Sequence, residues 1–149
     1  MSIDIHNHEG YVDPTPYHAL KKESRALRAF RPIVYICSPY AGDVQSNVEN
    51  ARKYSRFAVD KGYIPIAPHL LFPQFLDDDD AGERKLGLFF GNAIMSKCSE
   101  VWVFGSRISE GMKAEIRRAR WKNYRVRYFD ENLEEVKGVR GQREQQEDA

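Results

Sequence analysis

Continuous apolar runs in the central part of the chain predict β-strands, and segments with a helical repeat lie between them. Residues 33–37 and 100–105 are hydrophobic stretches typical of strands buried on both faces of a parallel sheet. Residues 63–67 lie between them and predict the second strand in chain order, which Pro65 places near an edge because proline cannot donate to a neighbouring strand. Residues 125–129 alternate in polarity and predict a fourth, more exposed strand.

Apolar residues spaced three and four apart predict a helix between each pair of strands. These helices are expected over residues 46–61, 83–97 and 109–122, and Gly62 follows the first at the position where glycine often ends a helix. A further helix is expected over residues 17–30. The core-facing positions of the first two helices are expected to be Val48, Ala51, Ser55, Ala58 and Val59, then Leu86, Phe89, Phe90, Ala93 and Ile94.

Strands that alternate with helices indicate βαβ units and hence a parallel sheet. We therefore predict an α/β fold, a flavodoxin-like or Rossmann-like three-layer sandwich with helices on both faces of a mostly parallel sheet of four to five strands. Residues 32–130 are expected to form this domain. Residues 1–31 predict an N-terminal arm with one helix, and residues 131–149 predict a charged C-terminal tail that begins with a short helix.

The loops that follow the strands are the expected location of a functional site. Right-handed crossovers place strand-to-helix loops at the carboxyl edge of a parallel sheet, where ligands bind in open α/β folds. Loops 38–43, 68–80 and 105–111 should therefore meet around one cleft. Tyr40 and His69 lie on two of these loops, where each is a candidate either for stacking on or hydrogen bonding to a ligand, or for a structural role.

Composition and charge argue against several classes of protein. The 149-residue chain is 42% hydrophobic and 30% charged, enough to bury the core of one domain. Its formal net charge of +1 gives no reason to expect binding to nucleic acid or to a membrane surface. Cys37 and Cys98 are isolated, which argues against a zinc site or a disulfide framework. No signal peptide or apolar run of the ~20 residues of a membrane span is present, so we expect a soluble, cytoplasmic protein.

The segment that follows the third strand departs from two rules of helix sequence. Ser109 is a good N-cap, but Gly111 lies in the first turn, where glycine costs roughly 1 kcal/mol of helix propensity relative to alanine. Glu115 lies four residues later on the same face, where a helix is expected to face its core. Because helical side chains lean toward the N-terminus, Glu115 reaches over Gly111, which has no side chain to block it. The N–H groups at this helix end can hold an anion.

Two interpretations of this pattern remain open. An ionised, partly desolvated carboxylate beside an anion site suits a nucleophile that attacks a sugar carbon of a phosphorylated substrate. Alternatively, Glu115 pairs with Arg118, Arg52 or another basic group, and Gly111 only eases helix packing. Tyr35 on the first strand is equally open to a core role in which its hydroxyl is satisfied.

Three features together resemble the nucleoside 2-deoxyribosyltransferase superfamily, which includes the 2′-deoxynucleoside 5′-monophosphate N-glycosidases. They are Tyr35-Ile36-Cys37 on the first strand, the buried strand at 101–104, and the motif Ser109-x-Gly111-x-x-x-Glu115. The resemblance covers residues 33–129 and is nearest to an uncharacterised branch found in phage and prophage genomes. It implies a homo-oligomer, a dimer or larger, that acts on a small nucleoside or nucleotide and needs no metal or other cofactor.

The resemblance also implies a role for each residue of the motif. Glu115 corresponds to the nucleophile that attacks C1′ of the sugar, and Tyr35 corresponds to the tyrosine that hydrogen-bonds and orients it. Ser109 and Gly111 correspond to residues that cradle the 5′-phosphate, over which loop 38–43 closes. Together with the loop residues above, the candidate substrate-binding residues are Ser38, Tyr40, Gly42, His69, Ser109, Gly111 and Met112.

One catalytic position departs from the family pattern. These enzymes usually carry an aspartate eight residues before the residue that opens the third strand, and that aspartate contacts the sugar or assists the leaving base. The corresponding residue is Asn92, which can hydrogen-bond but cannot readily supply a proton. Asp79, Asp80 and Glu83 on the neighbouring loop are the acids that could take over this role.

Two further charged groups lie near the predicted cleft. The acidic stretch 77–80 could hold Mg²⁺ beside a phosphate, but a solvated acidic loop is favoured, so no metal site is predicted. Arg107 precedes the helix at 109–122 and lies near the expected phosphate position.

The leading hypothesis is cleavage of an N-glycosidic bond, or deoxyribosyl transfer, on nucleosides or nucleotides. The expected substrates are (deoxy)nucleoside 5′-monophosphates, with Glu115 as the nucleophile. The alternative, which Asn92 favours, is a catalytically weak or inactive module that binds a nucleotide or an ADP-ribose-like ligand. A third hypothesis is a structural protein whose N-terminal arm mediates assembly.

Overall fold

The computed structural model describes residues 29–137, which form a five-stranded sheet and the helices around it. In chain order the elements are β1 (Ile33–Cys37), α1 (Val44–Asp60), β2 (Ile64–Ile66), α2 (Pro68–Leu71), a 3₁₀ turn (Phe72–Gln74), α3 (Ala81–Met95), β3 (Glu100–Phe104), α4 (Glu110–Trp121), β4 (Arg125–Phe129) and β5 (Glu135–Val136). The predicted strands and the three predicted helices of this region are confirmed, with ends that differ by no more than about two residues, the usual uncertainty of a helix end.

The sheet order is β2-β1-β3-β4-β5, and all neighbours are parallel except β4 and β5. The predicted α/β fold with a mostly parallel sheet is therefore confirmed, and β2 lies at an edge, as Pro65 predicts. The four parallel strands follow the flavodoxin-like order. From β1 the chain adds β2 on one side, and it then crosses to the other side to add β3 and β4, so the switch point lies between β1 and β3. Folds of this kind bind ligands beyond the carboxyl ends of the strands at that switch point.

Helices cover both faces of the sheet and enclose two hydrophobic cores. On one face, Ile36 and Trp102 pack against α1, whose Ala58 is fully buried. On the other face, Tyr35 and Val103 pack against α3 and α4. This arrangement is the predicted three-layer sandwich.

Side-chain caps fix the residues at which the three long helices begin. The Asp43 carboxylate accepts an N–H from the first turn of α1 at 3.2 Å, and Asp80 accepts one from α3 at 3.0 Å. Ser109 caps α4 in the same way. Each cap satisfies a backbone donor that the helix leaves unpaired and is worth ~1 kcal/mol. Gly62 follows α1 with φ +88°, as expected for a glycine that ends a helix.

A buried carboxylate lies at the start of β3. Glu100 accepts the indole N–H of Trp102 at 3.1 Å and pairs with Arg125 at 3.1 Å and with Arg127 at 3.7 Å. Arg127 also donates two hydrogen bonds to Glu135 of β5, and these bonds are the main reason that the pKa of Arg127 is raised. One chain of polar contacts therefore joins β3, β4 and β5.

Two segments differ from the prediction. Residues 68–80, expected to be a loop, contain α2 and the 3₁₀ turn, because Pro68 and Pro73 each fit the first turn of a helix. The short helix expected from Asp130 onward is wrong for residues 130–137. The Asp130 carboxylate accepts two backbone N–H groups at 2.9 and 3.0 Å, which stabilises a turn into β5. The sheet thus extends beyond residue 130, where the domain was expected to end.

The buried face of α3 also differs from the predicted one. Of the five predicted positions, two are partly buried, Phe90 and Ile94, and three are exposed, Leu86, Phe89 and Ala93. Gly91 and Met95 are buried against the sheet instead. A glycine lets α3 approach β1 closely, and the bulkier residues therefore lie on its outer face. In α1 the prediction is confirmed at Val48, Ala51, Ser55 and Ala58, whereas Val59 is 37% exposed.

Residues 1–28 of the predicted N-terminal arm and the predicted tail beyond residue 137 lie outside the described residues. Within residues 29–137, none of the helices has the length and the apolar character needed to cross a membrane.

Candidate active site

A cavity of about 250 Å³ opens at the carboxyl edge of the sheet, on the face covered by α3 and α4. All three predicted loops contribute to it. Eight of the ten predicted site residues line it, namely Tyr35, Tyr40, His69, Asn92, Ser109, Gly111, Met112 and Glu115. The prediction that these distant segments meet around one cleft is therefore confirmed.

Ser38 and Gly42 are not brought to this cavity. Ser38 is 1% exposed, and its Oγ has no hydrogen-bond partner among the described residues. Gly42 has φ +95° and lines a second cavity of about 470 Å³, where Lys53 and Arg107 also lie. The two cavities share Ala41 and Ser109, so the loop after β1 separates them.

Glu115 projects from α4 into the first cavity. Its side chain is 11% exposed, and its buried Oε2 has no hydrogen-bond partner within residues 29–137. A Cβ placed on Gly111 would meet no atom within 4 Å, so the predicted open path past this glycine is present. No ion pair joins Glu115 to Arg118 or Arg52 in the described part of the chain. Its Oε1 instead lies 3.7 Å from Nε2 of His69.

The Tyr35 hydroxyl lies beside the Glu115 carboxylate. Tyr35 is 3% exposed and reaches the cavity from β1. Burial, and next the negative charge of the neighbouring Glu115, raise the pKa of Tyr35 well above its ordinary range. The hydroxyl therefore keeps its proton at neutral pH and can act as a permanent donor to the carboxylate.

An aromatic pair forms another wall of the cavity. The rings of Tyr40 and His69 are stacked, with centroids 5.1 Å apart and an interplanar angle of 15°. Tyr40 comes from the loop after β1 and His69 from α2. Burial is the main reason that the pKa of Tyr40 is raised. This pair gives the cavity a flat surface next to a carboxylate.

The N-terminus of α4 provides the polar end of the cavity. The Oγ of Ser109 accepts the N–H of Met112 at 3.3 Å, so the predicted N-cap is confirmed. The N–H groups of Glu110 and Gly111 precede the first hydrogen bond within the helix. They remain free to bind an anion in the positive field of the helix end.

Asn92 lines the cavity from α3 but carries no acidic proton. Of the three acids named as replacements, Glu83 lines the cavity, and its carboxylate accepts a backbone N–H at 3.1 Å. Asp80 caps α3, and Asp79 lines a neighbouring surface pocket. Among the described residues, no group of three or more His, Cys, Asp or Glu side chains is arranged to hold a metal ion.

The cavity also has an apolar wall that was not predicted from the sequence. Its members come from α2, the 3₁₀ turn, the segment after that turn, and α3: Pro68, Phe72, Pro73, Leu76, Gly87, Leu88 and Gly91. The signal was present in Gly87 and Gly91 of α3, which lie four residues apart, as Gly111 and Glu115 do. Such glycines leave one helix face without side chains, which makes room for a ligand or for a close neighbour.

The region that contains the cavity also defines a known sequence family. Residues 32–129 match the family described as "Domain of unknown function (DUF7768)". The chain belongs to this family. The DUF7768 domain runs from just before β1 to the end of β4, and it includes every residue that lines the first cavity. No curated protein is similar enough in sequence to count as a relative.

The fold of the DUF7768 domain is similar to that of a solved enzyme structure. This structure is a 2-deoxyribosyltransferase from the psychrotolerant bacterium Bacillus psychrosaccharolyticus, described as a biocatalyst for nucleoside synthesis. The similarity has a TM-score of 0.56 at 13% sequence identity and covers 66% of this chain and 72% of that chain. At this identity the similarity concerns the fold, and it agrees with the predicted Rossmann-like architecture.

Proposed function

We propose that this DUF7768 protein cleaves the N-glycosidic bond of nucleosides or nucleotides, with water or a second base as acceptor, and that (deoxy)nucleoside 5′-monophosphates are its substrates. The observation that carries the proposal is the position of Glu115, a buried carboxylate with an unpartnered oxygen that opens past a glycine into an apolar cavity. Such a group costs stability, which favours a chemical role over a structural one. The 2-deoxyribosyltransferase of similar fold supports the same class of chemistry.

Glu115 acts as the nucleophile in this proposal. Its oxygen bonds to C1′ of the sugar while the bond from C1′ to the base breaks, through an oxocarbenium-like transition state. Water or another base then attacks C1′ and releases the carboxylate, so two displacements retain the configuration of C1′. Tyr35 donates a hydrogen bond to the carboxylate and holds it in position.

The remaining walls suit the other parts of such a substrate. The cavity of about 250 Å³ is close to the lower end of the roughly 300–1,000 Å³ typical of ligand pockets, as expected for one small molecule. The stacked Tyr40 and His69 form an aromatic wall beside the base, with Nε2 of His69 3.7 Å from the Glu115 carboxylate. Ser109 and Gly111 at the start of α4 offer N–H groups for a 5′-phosphate.

We also propose that the protein is a homo-oligomer, a dimer or larger. The rings of Phe75, Phe72, Phe90 and Phe89 contact one another in sequence along one surface. Phe75 is 60% exposed and Phe89 is 67% exposed. A contiguous apolar surface of this kind is uncommon on a monomer and favours contact with another chain.

The experiment that tests this function follows the release of free base by chromatography. The purified protein is incubated with deoxyribonucleosides, ribonucleosides and their 5′-monophosphates, with and without a second base as acceptor. We expect base release by the wild type and none by Glu115→Gln. Absence of release from every substrate, or undiminished release by the variant, would contradict the proposal. A new nucleoside formed with the acceptor would identify a transferase.

A second candidate function is ligand binding without turnover, favoured by Asn92 at the position where an acid is expected. The ligand would be a nucleotide or an ADP-ribose-like molecule in the same cavity. An increase in melting temperature with such a ligand, together with no base release over long incubation, would support this candidate over the enzyme.

A further inference from the structure

The proposed reaction needs a proton donor, because a purine or pyrimidine leaves slowly as an anion. Six groups that line the cavity could carry such a proton, and they come from several of the elements around it. They are Tyr35 from β1, Tyr40 from the following loop, His69 from α2, Asp78 and Glu83 from the segment that starts α3, and Glu110 from α4. Glu115 is the nucleophile, and Arg84 is the cation among the lining residues.

Five of these groups are poorly suited to donate the proton. The pKa values of Tyr35 and Tyr40 are raised, mainly by burial, so both hydroxyls hold their protons more tightly than usual. The Glu83 carboxylate is already engaged, because it accepts the backbone N–H of Asp77 at 3.1 Å. The Glu110 side chain is 89% exposed and pairs with a lysine at 3.4 Å, and Asp78 is an exposed residue at the rim.

His69 is the group that reaches the reacting centre. Its Nε2 lies 3.7 Å from Oε1 of Glu115, and its ring is held by the stack on Tyr40. Imidazole is the side chain that both gives and accepts a proton near neutral pH. We propose that His69 is the catalytic acid and base of this site, in place of the aspartate that Asn92 replaces. This inference rests on the proposed function.

The geometry allows the transfer. An oxygen that attacks C1′ in line with the breaking bond starts about 3 Å from that carbon, which puts the leaving nitrogen roughly 5 Å from the oxygen. Nε2 of His69 lies 3.7 Å from the same oxygen. A donor with a hydrogen-bond reach of about 3 Å can therefore contact the base while Glu115 contacts the sugar.

Atoms and charges balance over the two steps, and water is the only reactant that they need besides the substrate. In the first, Glu115 forms the bond to C1′, the C1′–N electron pair stays with the base, and the Nε2 proton of His69 moves to a ring nitrogen of the base. In the second, a water oxygen attacks C1′, the ester electron pair returns to Glu115, and His69 takes the proton that the water loses. The enzyme ends in its starting state.

The test compares leaving groups that need a proton with leaving groups that do not. The best substrate of the wild type is paired with a matched analogue. For a purine the analogue is its N7-methylated form, whose cationic base leaves as a neutral molecule, and for a pyrimidine it is the 5-nitro form, whose anion is stable. Initial rates are measured for the wild type and for His69→Gln, after subtraction of uncatalysed release.

We expect His69→Gln to lower kcat on the ordinary substrate by about a hundredfold or more and on the analogue by less than about fivefold. Equal losses on both, or no loss on the ordinary substrate, would overturn the proposal for His69. Failure of the wild type on every substrate would overturn the function itself, so the two failures are distinguishable.

Gln74→Ala is a matched control, since Gln74 bonds to the Leu70 carbonyl of the same segment at 2.7 Å and lies outside the cavity. A thermal melt checks that both variants fold.

Discussion

A Cβ atom on Gly91 would lie 3.3 Å from the hydroxyl oxygen of Tyr35. The glycine of α3 and the tyrosine of β1 are therefore in close contact across the face of the sheet that borders the cavity. Because the same hydroxyl lies beside the Glu115 carboxylate, the absence of a side chain at residue 91 helps to determine where the proposed nucleophile is held.

Gly91→Ala tests this contact. The added methyl group requires the Tyr35 hydroxyl to move by a few tenths of an ångström, so we expect about a tenfold fall in kcat. Stability should change by less than ~1 kcal/mol, because the helix propensity that alanine adds offsets the tighter packing. Tyr35→Phe provides the comparison, because it removes the hydroxyl that the added methyl group would displace. A further fall of about tenfold on adding Gly91→Ala to Tyr35→Phe would argue against the role of this contact.

Glu115→Gln should separate activity from stability. We expect loss of base release by at least about a thousandfold, because the amide cannot form the covalent intermediate. The melting temperature should stay the same or rise, because the substitution removes a buried charge with an unpartnered oxygen. Differential scanning calorimetry together with the base-release assay measures both properties. A marked fall in the melting temperature would mean that the carboxylate is structural.

Substitutions at Ser109 distinguish capping from phosphate binding. Ser109→Ala should lower the free energy of unfolding by ~1 kcal/mol, because it removes the bond to the Met112 N–H. Ser109→Asp should keep the cap but place a negative charge at the proposed phosphate position. We expect its KM to rise for a nucleoside 5′-monophosphate and to stay unchanged for the nucleoside. Equal KM changes for both substrates would argue against a phosphate at this helix end.

The layered fold could be predicted from the sequence, because buried parallel strands and their helices leave regular hydrophobic patterns. The three cleft loops followed from the topology, and eight of ten proposed site residues line one cavity. Which face of α3 is buried could not be predicted in the same way. Its buried positions hold Gly91 and Met95, and Gly91 carries no hydrophobic signal, whereas the exposed Leu86 and Phe89 carry a strong one.

The cavity wall from α2 was missed for a related reason. Pro68 and Pro73 read as loop residues, yet both fit the first turn of a short helix. The contact between His69 and Glu115 could not be predicted either, because it depends on where α2 packs at the edge of the sheet and not on sequence spacing.

Phe89→Glu tests the proposed oligomer. Phe89 is 67% exposed on the outer face of α3, so a charge there should leave the fold intact and disrupt an apolar contact between copies. We expect the molar mass measured by light scattering to fall relative to the wild type. Trp121→Glu is a matched control, because Trp121 is 75% exposed but lies on α4. An unchanged mass for Phe89→Glu would rule out this surface as the interface.

The two cysteines should be unreactive in the folded protein. Burial raises the pKa of the Cys98 thiol to about 11, and Cys37 is fully buried. The thiolate fraction of Cys98 near pH 8 should thus be about a hundredfold below that of an ordinary cysteine. Mass spectrometry after iodoacetamide treatment should show little labelling of the native protein and double labelling after denaturation. Rapid native labelling of Cys98 would contradict this environment.

The buried carboxylate of Glu100 favours one register of β4 against β3. It faces Arg125 directly across the pairing of β3 with β4, and Arg127 lies two residues further along. A shift of β4 by one residue would turn both guanidinium groups to the opposite side of the sheet and leave a buried carboxylate without a counter-ion. The contact thus penalises misaligned forms more than it stabilises the aligned one. It therefore selects one register for the strand that completes the parallel sheet.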